Sequence, residues 1–169
     1  MGCRIDDHVS AVGGGYRWSW TLGGGGRRTV WPVRGSGFIG RFATLGESVL
    51  GLPVLGPVVS MAHHRAGADQ AMVAIGNKTV REKLLQQLTA AGFEWATVVH
   101  PRAIVSPSAV LGAGAAVMAG AIVGTDARLG VGSILNCGAV VDHRATVEDF
   151  GHLGVNTCMA GGTVLGRRA

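Results

Sequence analysis

The sequence predicts a left-handed parallel β-helix of hexapeptide repeats preceded by a small α/β unit, and three observations predict it. Aliphatic residues recur at every sixth position from Val105 to Leu165, and a small residue stands four places after each. Upstream, a strand, a helix and a second strand follow one another before Pro101. The composition agrees: 29 of 169 residues are glycine and 15% are charged, which suits a repeat fold whose corners need small residues.

Residues 1–45 form an atypical segment rich in glycine, arginine and tryptophan. It carries Gly13-Gly14-Gly15, Gly23 to Gly26, and Trp18, Trp20 and Trp31, with no sustained period of 2 or 3.6. Residues 46–102 read as the remainder of a small α/β domain. Met72-Val73-Ala74-Ile75 reads as a buried strand, and Thr79-Val80-Arg81-Glu82 has capping-box spacing. The helix places Val80, Leu84, Leu85 and Leu88 on one face and stops at Gly92, suited to a left-handed C-cap. Trp95 to Val99 is the expected second strand, and two parallel strands joined this way take a right-handed crossover.

Residues 103–169 are the β-helix. The anchors are Val105, Leu111, Val117, Val123, Leu129, Leu135, Val141, Val147, Leu153, Met159 and Leu165, each followed four places on by Ala, Ser, Thr or Gly. Three hexapeptides make one triangular coil, so residues 18 apart stack in ladders and the stack is the cooperative unit. The residue before each anchor faces out. The column Ile104, Ile122, Val140, Cys158 is apolar throughout, whereas Val110, Arg128, Thr146, Val164 is more polar. A repeated apolar column on a triangular prism predicts closed association of three copies.

Several function classes recede. The net charge of +5 comes mostly from arginines in the first 41 residues and at the end of the chain, without a basic helix or aromatic-interleaved stripe, so nucleic acid is not the expected partner. Cys3, Cys137 and Cys158 are odd in number and lack ligand spacing, which points to a reducing cytoplasm. The most apolar stretch, Val49 to Ala62, is short and broken by Pro53 and Pro57, so neither export nor membrane insertion is indicated.

His143 sits at a corner beside the apolar column, where a trimer would set it in a cleft. Imidazole suits proton removal near neutral pH, and the alternative is a solvated corner histidine. His152 lies on an outward strand position. The two are not spaced like a histidine zinc pair, and no third histidine follows in the prism, so no metal is expected. His63 and His64 read as surface residues. Gly161 and Gly162 fall one coil above His143, where free backbone N–H groups would hold a thioester oxygen or serve simply as corner glycines.

The segments Gly51-Leu52-Pro53-Val54-Leu55-Gly56, Val73-Ala74-Ile75-Gly76-Asn77, Val98-Val99-His100-Pro101 with Ile104 to Ala109, and Leu135-Asn136 with Asp142-His143 resemble the sialic-acid O-acetyltransferase-type sugar acyltransferases. These include N-acetyltransferases acting on nucleotide-linked 4-amino-4,6-dideoxy sugars in bacterial glycan synthesis. The resemblance implies a Rossmann-like N-terminal domain for the nucleotide sugar, acetyl-CoA as co-substrate on the β-helix, and a homotrimer with sites between subunits. It further implies His143 as general base with Asp142 beside it, Asn136, His152, Gly161 and Gly162 toward acetyl-CoA, and Gly76 and Asn77 toward the nucleotide sugar.

O-acetylation of a sugar hydroxyl by the same base and a non-catalytic trimeric scaffold stay open beside the N-acetyl reading. Arg144 stands where the family often has an acidic residue that orients the base, and Asp142 is expected to point away from the corner. The family's opening strand and glycine-rich turn are expected to be absent, because Gly13-Gly14-Gly15 lacks a clear strand before it and a helix after it. The change near Arg41 reads as an altered frame, which sequencing the locus would test. The ladder stops in mid-coil, the pattern of a fragment with weakened cofactor binding.

Overall fold

The computed structural model describes residues 8–12, 35–40, 48–49, 52–57, 60, 63 and 70–169. They divide into two compact units. The first holds the described residues up to Ile75 together with Leu84–Ala96, and the second consists of Gly76–Lys83 and Thr97–Ala169. Of the features expected in residues 1–45, the glycine runs and the three tryptophans lie outside the described residues, as do Cys3 and His64.

In the first unit, strands β1 (His8–Val12), β2 (Gly35–Gly40), β3 (Ser48–Val49), β4 (Leu52–Gly56), β5 (Gln70–Ala74) and β6 (Glu94–Trp95) form one sheet in the order β3-β4-β2-β1-β5-β6. Strand β1 does precede Gly13, where no clear strand is expected, while the glycine run itself lies outside the described residues. The sheet is mixed: β1 runs antiparallel to both β2 and β5, while β2–β4 and β5–β6 are parallel. A Rossmann-like sheet is mostly parallel, so this mixed sheet does not establish the Rossmann-like domain. The strand expected from Trp95 to Val99 splits: Glu94 and Trp95 pair with Gln70 and Ala71, whereas β7 (Val98–Val99) joins the solenoid.

Helix α1 (Lys78–Ala90) starts earlier than the capping-box spacing implies. Its N-cap is Asn77, whose Oδ1 accepts the Val80 N–H at 3.1 Å. Glu82 is drawn elsewhere, to Arg167 and Arg168. Leu84, Leu85 and Leu88 are buried as expected, but Val80 is 42% exposed. Gly92 ends the helix with φ 85°, and the paired bonds Phe93 N–H to Leu88 O and Gly92 N–H to Thr89 O close a Schellman motif.

The second unit is a parallel β-solenoid with three four-stranded faces. One face stacks β7 (Val98–Val99), β10 (Ala116–Val117), β13 (Ile134–Leu135) and β16 (His152–Leu153). The next stacks β8 (Ile104–Val105), β11 (Ile122–Val123), β14 (Val140–Val141) and β17 (Cys158–Met159). The third stacks β9 (Val110–Leu111), β12 (Arg128–Leu129), β15 (Thr146–Val147) and β18 (Val164–Leu165). Every pairing joins residues 18 apart, as the hexad ladder requires, for example Val123 with Val141 and Leu135 with Leu153.

The core is the inward ladder: Val117, Val123, Leu129, Leu135, Val141, Val147 and Leu153, with Ala121, Ala127, Ala139 and Ala145 at the corners. The corner positions admit little more than a methyl group, which explains the small residue four places past each anchor. The period starts one hexad before Val105, because Val98 and Val99 already pair with Ala116 and Val117. The outward columns differ in exposure. Ile104 and Ile122 on the second face and Val110 and Val164 on the third are exposed, while Val98, Ala116 and Ile134 on the first are buried.

Candidate functional site

His143 follows β14 at the corner between the second and third faces. Its side chain is 51% exposed, yet its position is tightly determined. Below, Gly124 lies under the Asp142–His143 peptide so closely that a Cβ there would come within 2.9 Å of the Asp142 carbonyl carbon and 2.8 Å of the His143 nitrogen. Above, a Cβ on Gly161 would fall 2.2 Å from His143 Cε1 and 2.5 Å from Nε2. Only a residue without a side chain lets the imidazole rest there. Gly124 escaped the sequence reading, although its place 18 residues below Asp142 was a signal.

Asp142 does not point away from the corner as expected. Its Oδ1 accepts the His143 N–H at 2.6 Å and lies 3.1 Å from His143 Nδ1. The carboxylate folds back because the backbone donor of the next residue draws it in, which places it on the ring as well. The His143 N–H, and then the imidazole, hold the Asp142 carboxyl below the usual carboxylate range. With Nδ1 engaged, Nε2 is the nitrogen left to take a proton.

The two glycines above this corner also differ from expectation. Gly162 N–H is not free: it donates to the His143 carbonyl at 2.9 Å, a bond that continues the stack. Among the described residues, the Gly161 N–H has no hydrogen-bond acceptor. Arg144, the residue after His143, adopts φ 54°, and its N–H donates to Thr125 O at 2.8 Å.

The other expected site residues lie elsewhere in the same coils. Asn136 is at the corner between the first and second faces, and its Oδ1 accepts the N–H of the adjacent Cys137 at 2.8 Å. His152 lies on the first face, half-buried, with Nε2 enclosed and, among the described residues, without a hydrogen-bond partner. Its ring packs on Gly76, where an added Cβ would stand 3.6 Å from Cε1. Burial lowers the His152 pKa, Arg81 and Lys78 push the same way, and the backbone of Gly76 opposes them. Gly76, which with Asn77 forms the turn into α1, packs against His152, whereas His143 lies at the opposite corner of the coil. Among the described residues, no group of three or more His, Cys, Asp or Glu side chains is placed to hold a metal ion.

No family model matches the chain, and no curated protein does. Solved structures do. One is a histidine-to-alanine variant of the GDP-perosamine N-acetyltransferase of Caulobacter crescentus with CoA and GDP-perosamine, at 40% identity and TM-score 0.70. The match covers 72% of this chain, which spans 59% of that structure's length. The acetyltransferase domain of PglB from Neisseria gonorrhoeae with acetyl coenzyme A matches at 32% identity and TM-score 0.65, over 75% of this chain and 70% of that one. WeeI from Acinetobacter baumannii, at 17% identity and TM-score 0.54, shares the fold.

Proposed function

The chain belongs to the hexapeptide-repeat sugar N-acetyltransferases, and on that premise we propose that it moves an acetyl group from acetyl-CoA to the amine of a nucleotide-linked 4-amino-4,6-dideoxy sugar. The observation that carries the reading is the Asp142–His143 pair packed on Gly161, with one imidazole nitrogen held by a carboxylate and the other left to accept a proton.

In this reading His143 Nε2 takes a proton from the amine as its nitrogen attacks the thioester carbon, and the carbon–sulfur bond breaks with CoA leaving as thiolate. Asp142 keeps the ring oriented through Nδ1 and steadies its protonated form, doing what an acidic residue at position 144 would do. The Gly161 N–H is the donor suited to the negative charge that develops on the thioester oxygen, and Gly162 contributes by holding the corner. Acetyl-CoA supplies the activated acyl group, with Asn136 and His152 on its side of the site and Gly76 and Asn77 on that of the sugar nucleotide. An amine acceptor is favoured over a hydroxyl because the similar structure with a bound sugar nucleotide is an N-acetyltransferase.

These residues occupy different corners and faces of one prism, which supports a site assembled from neighbouring copies in a cytoplasmic homotrimer. The apolar column Ile104, Ile122, Val140, Cys158 is the face suited to that contact. Among the described residues, no helix is long and apolar enough to cross a membrane. Acetyl transfer to a panel of nucleotide-linked amino sugars, run beside His143→Ala, tests the reading. Transfer is expected to fall by about 10²–10⁴ in the variant, and full activity in it would refute the catalytic assignment.

A further inference from the structure

Arg81 is fully buried, and its guanidinium donates to three backbone carbonyls: Nε to Gly132 O at 2.8 Å, Nη1 to Gly76 O at 3.1 Å and Nη2 to Phe150 O at 2.6 Å. Gly132 and Phe150 are 18 residues apart, the same corner of two successive coils, and both adopt left-handed backbone with φ 60°. The Arg81 N–H also donates to Asn77 O at 2.9 Å. That main-chain bond is the first i→i−4 bond of α1, so it is the side chain that ties the Gly76 carbonyl to the solenoid corners. Burial lowers the guanidinium's pKa to about 10, far enough above neutrality that it stays charged.

An apolar side chain would fill this space without the desolvation penalty of a buried cation, so stability alone does not explain an arginine here. A planar fork aimed at three fixed acceptors sets distance and orientation together, which a packed leucine does not. The next residue repeats the device at the following coil: Glu82 accepts from Arg167 Nη2 at 2.7 Å and pairs with Arg168. Arg167 in turn lies over the Phe150 ring at 5.2 Å and bonds Asp149. The turn is thus registered against three successive coils.

We infer that Arg81 is a positioning residue for nucleotide-sugar binding, fastening the Gly76–Asn77 turn to the solenoid corners at Gly132 and Phe150 so that the turn meets the substrate in one fixed place. The inference rests on the reading that Gly76 and Asn77 hold the nucleotide sugar.

Two variants test it in the full chain. Arg81→Met keeps the apolar stem and removes every donor, while Arg81→Lys keeps the charge without the fork. In Arg81→Met, KM for the nucleotide sugar is expected to rise about tenfold while KM for acetyl-CoA stays within about twofold; Arg81→Lys should fall between. Backbone amide exchange across residues 75–83 should accelerate about tenfold, with residues 116–135 unchanged. Should Arg81→Met fail to fold, Arg81→Lys carries both measurements. Unchanged exchange at 75–83, or a parallel rise in both KM values, overturns the positioning role. A wild-type chain that transfers acetyl to no amino sugar refutes the functional reading and Arg81's substrate role with it, while the exchange measurement separately decides whether the turn is fastened.

Discussion

His143 and His152 stand in one solenoid coil, and the fold gives them opposite surroundings. His143 occupies a corner with half its side chain in solvent, one nitrogen against Asp142 and its ring on bare glycine. His152 sits on a covered face, its Nε2 enclosed and its ring against Gly76, near a buried guanidinium. One imidazole is placed to exchange protons with a substrate, and the other is held neutral by burial. A period of six assigns each residue a side of the prism, but what covers that side decides what the residue can do.

The contrast breaks if the wrong histidine carries the activity. Replacing His143 by alanine is expected to lower kcat by about 10²–10⁴ and leave the melting temperature nearly unchanged, because an exposed corner ring contributes little packing. Steady-state kinetics beside a thermal melt reads both quantities. Gly161→Ala comes next: its methyl group would occupy the place of the imidazole, so kcat should fall about 10–10²-fold although no reacting side chain is lost. Activity equal to wild type in Gly161→Ala would show that the ring need not lie over that glycine.

A smaller effect sharpens the other half of the comparison. The folded state lowers the His152 pKa, chiefly by burial, so the unfolded chain takes the proton first as pH falls below about 6.5. Its contribution to stability is therefore fully present above that pH and is lost on acidification. His152→Gln should flatten the dependence of melting temperature on pH through this window, relative to wild type. An equally steep dependence in the variant would mean that His152 is solvated rather than held.

The solenoid was legible because an unbroken hexad leaves few other ways to bury its anchors, and the buried ladder from Val117 to Leu153 follows it residue by residue. The burial of the first face was not legible: Ala116 and Ile134 look like any outward residues of the hexad, yet both are buried. Asp142 departs from its expected direction for a local reason. Its side chain is expected to point away from the corner, but the adjacent N–H draws it back onto the ring. The spacing of Thr79 and Glu82 predicts a later start for α1, whereas Asn77 makes the cap and Glu82 answers arginines about 85 positions away. Long-range ion pairs of that kind leave no periodic trace.

The corner backbone carries one more regularity. From Leu111 onward, the third residue past each anchor has positive φ, and most of these positions hold glycine, asparagine or aspartate, which tolerate it. Arg144 does not belong to that group. A left-handed L-residue costs about 1–2 kcal/mol, and glycine's extra freedom in the unfolded chain returns about half of the gain from replacing it. Arg144→Gly should therefore stabilise the protein by about 0.5–1 kcal/mol, raising the melting temperature by about 1–4 °C, with the Thr125 hydrogen bond kept because the backbone is unchanged. If Asp142 and Gly161 suffice to place the imidazole, kcat stays within about twofold. A more stable variant with kcat down tenfold or more would instead mean that the arginine side chain acts on the substrate or across a subunit boundary, and that the strain at residue 144 is held for catalysis.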